Sequence, residues 1–206
     1  MNQPCAHIID DDEAIRDALQ WLFKTRNVAC ATWPSAEAFV DAVQPDWRGC
    51  AVLDIRMEGM SGLECFDTLQ ARGNQLPVIF ITGHGDVPMA VAALKKGAFD
   101  FIEKPFNDSD LVDIVMRALE TDAARQRAEA TRETVEARLA LLTAREQEVM
   151  ELILAGKFNK VIADQLNISM RTVEAHRSKV FDKMEVRSAV ELAQLVNLVR
   201  SRAASR

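Results

Sequence analysis

The chain has 206 residues, 49% of them apolar, and a net charge of −6; that length supports one or two ordinary cores, and two are favoured because domains of roughly 100 to 150 residues are commonest. No apolar run reaches the roughly 20 residues of a membrane span and the first residues lack a signal-peptide layout, so a cytoplasmic protein with no membrane partner is expected. The charge is uneven: residues 1–120 carry 10 basic against 19 acidic side chains, 121–142 carry 4 of each, and 143–206 carry 11 against 8. An acidic unit followed by a modestly basic one is compatible with nucleic acid as the partner of the second.

The first 120 residues alternate between the periods of strand and helix. Strand-like runs are "CAHII" (5–9), "VACAT" (28–32), "CAVL" (50–53), "PVIFI" (77–81) and "AFDFI" (98–102), short and mostly continuously apolar, as strands covered on both faces should be. Helical stretches lie between them at 13–25, 35–43, 62–72 and 87–96, and another starts near Ser109. Five strands alternating with five helices predict a doubly wound parallel five-stranded sheet with right-handed crossovers. Cys5, Cys30, Cys50 and Cys65 form no CxxC pair and read as reduced core thiols, not as a disulfide or zinc site.

In such a sheet ligands gather at the carboxyl ends of the strands, where strand order reverses. The sequence places "DDD" (10–12) after the first strand, Asp54 after the third, Thr82 after the fourth and Lys104 after the fifth. In a flavodoxin-like order of 2-1-3-4-5 these residues share one crevice. Three or more crowded carboxylates need a neutralising cation or must protonate in part, and hard oxygen ligands suit Mg²⁺ best, ahead of Ca²⁺ or Mn²⁺. A helix cap accounts for one aspartate of the run, but for neither Asp54 nor Lys104.

The stretches "IIDDDEAIR", "VLDIRMEGMSG", "FITGHGD" and "KKGAFDFIEKPF", in this order and at these strand ends, resemble the receiver domain of bacterial two-component response regulators, in particular the FixJ type. The resemblance implies Asp54 as phosphoacceptor. It makes Asp10 and Asp11 the acidic pair holding Mg²⁺ together with Asp54 and the Arg56 carbonyl. Thr82 and Phe101 become a switch pair, and Lys104 the phosphate contact, with a cis bond to Pro105. Where the family usually has proline this chain has Glu58, read as a solvated loop charge. His84 is read as a loop residue with a packing or docking role.

From 109 to 142 neither Gly nor Pro interrupts the chain. Leu111, Ile114, Val115 and Ala118 give the first part a buried face, and 121–142 reads as a helical linker, a flexible tether being the alternative. Beyond it lie short helices. Thr143 and Glu146 make a capping box, Gly156 ends that helix, a second spans 159–166, Ser169 caps a longer third, and Ser188 with Glu191 predicts another box. Short helix, turn, longer helix is a helix-turn-helix layout, and residues 142–196 resemble the LuxR-type DNA-binding domain. On the third helix Val173, His176, Val180 and Met184 form the stripe expected to be buried, which makes His176 a packed or phosphate-contacting histidine in preference to a metal ligand. Arg171, Glu174, Ala175 and Ser178 lie opposite, facing the major groove, while Lys160, Arg171, Arg177 and Lys179 are expected on phosphates. Thr172 joins this set at the start of the helix.

Taken together, the expectation is a receiver over 1–120, a linker over 121–142 and an all-α helix-turn-helix domain over 143–206. The chain reads as a non-enzymatic, phosphorylation-gated transcriptional regulator that takes its phosphoryl group from a sensor histidine kinase and binds double-stranded promoter DNA, with RNA polymerase a further partner. Phosphorylation is expected to yield a homodimer through a face carrying Val91 and Lys95. Two other readings fit less well. A pseudo-receiver gated by partner binding is disfavoured by the complete phosphoacceptor set, and an aspartyl-phosphate hydrolase by the position of Asp54 after the third strand with no second carboxylate beyond Ile55 and Arg56.

Overall fold

The computed structural model describes residues 3–83 and 86–203, with side chains through Arg200; His84 lies outside the described residues. The chain divides into two compact units, residues 1–126 and 127–206. In the first, β1 (Cys5–Ile9), β2 (Cys30–Trp33), β3 (Gly49–Asp54), β4 (Val78–Thr82) and β5 (Asp100–Glu103) alternate with α1 (Glu13–Thr25), α2 (Ala36–Ala42), α3 (Gly62–Ala71), α4 (Val87–Lys95) and the first part of α5 (Asp108–Ala140), which runs on into the second. All four pairings are parallel and the order is β2-β1-β3-β4-β5, the flavodoxin-like order the sequence predicts. Alternation within the strands divides the core. Ala51 and Leu53 of β3 face Phe39, Phe66, Leu69 and Ala90 on one side. Cys50 and Val52 face Leu22, Phe23, Leu111 and Val115 on the other.

Two strands start two residues later than the apolar runs predict. Val28 and Ala98 are buried, yet β2 begins at Cys30 and β5 at Asp100. Apolar character reports burial, and burial begins in the connecting segment before ladder pairing does. All four cysteines are free, and burial raises the thiol pKa to about 11 at Cys5 and about 12 at Cys65, the behaviour of inert core thiols.

The segment read as a linker is helical and continuous with the helix before it. Its first residues pack on the sheet unit: Asp122, buried, accepts from the Gly49 N–H at 2.9 Å and pairs with Arg125, which donates to Gln75 at 2.6 Å. Its last residues belong to the second unit, whose core holds Val135 and Leu142. The limit expected at 120 therefore falls inside a helix, because nothing in the sequence stops the helix there.

In the second unit α6 (Ala144–Leu154), α7 (Asn159–Leu166), α8 (Met170–Met184) and α9 (Ala189–Ala203) close over Val149, Ile153, Ile162, Val173, Val180, Met184, Leu192 and Val196. Thr143 and Glu146 form the complete capping box. At α9 the box is only half formed: Ser188 Oγ accepts from the Glu191 N–H (3.1 Å), but the Glu191 carboxylate accepts from the Arg187 N–H (2.8 Å) and not from Ser188.

Candidate functional site

The three consecutive aspartates after β1 do three different things. Asp12 caps α1, its carboxylate accepting from the Ala14 N–H at 2.8 Å. Asp10 is buried at 2% exposure and accepts from the Asp12 N–H at 2.9 Å. Asp11 is exposed and accepts from the Glu58 N–H at 2.9 Å. Arg16 Nη1 donates to the carbonyls of both Asp10 (2.8 Å) and Asp11 (2.9 Å), fixing the loop over the first turn of α1.

Asp54 ends β3 beside Asp10 and is buried at 7% exposure. Its Oδ2 accepts from the Arg56 N–H at 2.7 Å. From the end of β5, Lys104 Nζ reaches Asp54 Oδ1 at 2.6 Å and Asp10 Oδ2 at 3.4 Å, and the Lys104–Pro105 bond is cis. Burial raises the Asp10 pKa, opposed by the Asp12 N–H and by Lys104. Burial disfavours the Lys104 ammonium as well, but hydrogen bonding and attraction to Asp54 and then Asp10 outweigh it, and its pKa is raised. The group remains a fixed positive charge at the floor of the crevice.

Close approach builds the rest of this wall. A Cβ on Gly62, the first residue of α3, would lie 2.1 Å from the Asp54 carbonyl oxygen, so only glycine lets α3 start against the phosphoacceptor candidate. Glu37 accepts from the Met60 N–H at 2.7 Å and holds the intervening loop from α2. Thr82, fully buried at the end of β4, donates its hydroxyl to the Gly83 carbonyl at 3.0 Å. Phe101 is half-buried against the sheet core. Glu58 is exposed.

The structure corrects the expectation of three crowded carboxylates. Among the described residues no three potential ligands gather into one cluster, because Asp11 turns to a backbone N–H. Asp10 and Asp54 remain, with one ammonium between them. That donor set suits Mg²⁺, which keeps several of its waters and needs only one or two carboxylates from the protein.

One contact beside this crevice was not legible in the sequence. Asp86 stands at the N-cap position of α4, but its side chain makes no capping hydrogen bond. The Arg56 guanidinium takes its buried carboxylate instead, with Nε to Oδ2 at 2.8 Å, and holds it below the usual carboxylate range. The loop after Asp54 is thereby tied to the start of α4. On α4 itself Ala90 and Ala93 are buried, whereas Val91 is 39% exposed and Lys95 is exposed.

In the second unit Val173, Val180 and Met184 are buried, but His176 is only half-buried, and its Nδ1 is shielded without a hydrogen-bond partner. The expected burial of His176 is thus corrected: it sits at the edge of the stripe. Arg171, Glu174, Ala175, Ser178 and Lys179 are all exposed on α8, as is Lys160 on α7. Thr172 donates its N–H to the Ser169 cap at 3.1 Å. Arg177 lies over the Phe181 ring at 5.4 Å, on the flank of the exposed stripe.

A doubly wound sheet with paired aspartates and a lysine at its carboxyl edge, followed by a helix-turn-helix, defines a response regulator that binds DNA. Residues 6–116 match the response regulator receiver domain family and residues 140–196 the luxR family of bacterial regulatory proteins. The C4-dicarboxylate transport transcriptional regulatory protein DctR of Rhodobacter capsulatus is 52% identical over 92% of this chain and 97% of its own. The transcriptional regulatory protein FixJ of Azorhizobium caulinodans is 46% identical over 93% and 91%. Among solved structures, the response regulator StyR superposes with a TM-score of 0.86 at 39% identity, covering 95% of this chain and 98% of that one. Full-length FixJ from B. japonicum gives 0.61 at 38%, covering 98% and 99%. The chain belongs to the FixJ-type two-component response regulators, transcription regulators built from a receiver and a luxR-family DNA-binding domain. Membership implies a sensor kinase and DNA as partners. Among the described residues no helix is long and apolar enough to cross a membrane.

Proposed function

We propose that the chain is switched by phosphorylation of Asp54, which receives its phosphoryl group from a histidine kinase and makes the protein dimerise and bind promoter DNA. The observation that carries this reading is Lys104 Nζ at 2.6 Å from Asp54 Oδ1 and 3.4 Å from Asp10 Oδ2. A cation is held ready where negative charge is about to grow. In the transfer, an Asp54 oxygen forms a bond to phosphorus as the phosphorus–nitrogen bond of the donor phosphohistidine breaks and the imidazole leaves. Asp10, Asp54 and the Arg56 carbonyl would hold Mg²⁺, joined by Asp11 once released from the Glu58 N–H. A bound Mg²⁺ supplies shielding of the charge on the carboxylates and on the incoming phosphate.

The added group brings about −1.5 to −2 of charge and several acceptor oxygens. Lys104 then exchanges a carboxylate for a phosphate oxygen, and the Thr82 hydroxyl leaves Gly83 for the same group. Phe101 follows Thr82 inward and remodels the face carrying Val91 and Lys95. In the second unit Glu174 accepts from a cytosine amine and Ala175 touches a thymine methyl, with Ser178 and Arg171 on the same stripe. Lys160, Arg177 and Lys179 hold phosphates and Thr172 orients the start of α8. Polymerase recruitment completes the proposed role.

Treatment with a small phosphodonor and Mg²⁺, read by intact mass, is expected to add one phosphoryl group to the wild-type chain and none to Asp54→Asn or to chelator-treated protein. Equal labelling of Asp54→Asn would overturn the assignment.

A further inference from the structure

A groove of about 520 Å³ in the second unit is lined by the apolar side chains of Ile153, Phe158, Met170 and Ala189. Lys157, Lys160 and Arg177 also line it, and no carboxylate does. Phe158 is 82% exposed and Met170 49%. Isolated exposed apolar residues are ordinary, but here two of them share one groove with three cations. Nor does helix stability explain Phe158. It occupies the N-cap position of α7 and makes no capping hydrogen bond, where a serine or aspartate would contribute more.

We infer that this groove seats one sugar–phosphate strand of the DNA duplex, with Phe158 and Met170 against deoxyribose faces and the three cations against the flanking phosphates. The inference rests on the proposed DNA-binding role of this unit and adds to it a non-ionic contact. A duplex backbone carries both anionic phosphates and apolar sugar faces, and the groove offers both a cationic and an apolar lining. It is also continuous with the base-reading stripe. Met170, one of its two lining residues on α8, immediately precedes Arg171, and Lys160 and Arg177 are phosphate contacts of the proposed interface. A sugar contact positions the protein without reading sequence.

The test uses the full-length chain treated with phosphodonor, and a duplex selected by the wild-type protein from a random pool, with binding measured by fluorescence anisotropy over a salt series. Phe158→Ala is expected to bind about tenfold more weakly, the effect of removing one aromatic burial, and by the same factor on the selected and on an unrelated duplex. Its salt slope should match wild type, since no phosphate contact is lost, whereas Lys160→Ala lowers the slope by about one. Phe158→Leu should recover most of the affinity. Because the side chain is exposed, the melting temperature of Phe158→Ala should stay at the wild-type value. Wild-type affinity in Phe158→Ala overturns the inference, and wild-type affinity with lost transcription at a reconstituted promoter assigns the groove to a protein partner instead. A wild-type chain that selects no duplex overturns the DNA-binding reading itself, and this inference with it.

Discussion

At the scale of single residues, the pocket works by dividing labour among identical side chains. Asp10, Asp11 and Asp12 differ only in where the turn after β1 points them, and one becomes a buried partner of Lys104, one an exposed acceptor and one a helix cap. His7 shows the same dependence on surroundings. It is 5% exposed, stacks on Trp47 at 4.6 Å and accepts at Nδ1 from Trp33 Nε1–H at 3.3 Å. Burial lowers its pKa from 6.5 to about 4. The unfolded chain therefore binds this proton first, so the stability tied to neutral His7 is fully present above about pH 6.5 and is lost as the pH falls towards 4. The shift corresponds to about 3 kcal/mol. Urea melts followed by tryptophan fluorescence should show that loss between pH 7 and pH 4 in wild type and little of it in His7→Phe. An equal pH dependence in the two proteins would remove His7 as its source.

At the scale of elements, the second unit is organised by the start of α6. Glu146, 3% exposed, accepts from the Thr143 N–H at 2.8 Å and from Lys183 Nζ of α8 at 2.6 Å, so a helix cap and a helix–helix contact share one carboxylate. The Lys183 hydrogen bond first, then the Thr143 N–H, hold its pKa at about 2. The stability it contributes is present above the ordinary carboxylate range and is lost as the pH falls through about 2. Thr143→Ala should cost about 1 kcal/mol. Glu146→Gln should cost more, because it also leaves Lys183 without its charged partner, and it should abolish the acid-sensitive component. All three tryptophans, Trp21, Trp33 and Trp47, lie in the first unit, so the measurement is far-UV circular dichroism. Identical acid profiles in wild type and Glu146→Gln would contradict this account. The box at Thr143 was legible because both of its partners lie within four residues. Its link to Lys183, 37 positions beyond Glu146, was not.

At the scale of the whole molecule, the proposed switch has to connect chemistry at Asp54 with two copies of α8 on DNA. One helix-turn-helix covers one half-site, and useful affinity comes from two copies spaced about 34 to 36 Å apart. A face with Val91 at 39% exposure beside Lys95 supplies a small apolar contact rimmed by charge, suited to pairing that forms on demand. Light scattering at matched concentration should give a monomer mass without phosphodonor and a dimer mass with it, and Val91→Asp should stay monomeric in both. Unchanged mass on phosphorylation would refute the switch, and a dimer in Val91→Asp would place dimerisation off this face. The Arg56–Asp86 pair gives such a switch a mechanical element, since it joins the loop after the phosphoacceptor candidate to the helix that carries Val91.

Local periodicity, caps and strand-end residues were enough to set the element order, the parallel sheet, the crevice and the exposed stripe of α8, because each depends on spacing of a few residues and on which faces are apolar. They also isolated Asp10, Asp54, Thr82 and Lys104, since a polar residue that ends a buried run stands out in one dimension. What they left open depends on contacts distant in sequence. Only the tertiary structure decided that Asp11 turns to Glu58 and Asp86 to Arg56, that His176 stays at the edge of its stripe, and that α5 gives its residues after 120 first to one unit and then to the other. A carboxylate takes whichever donor the fold brings within about 3 Å, and no pattern of neighbours along the chain records which donor that is.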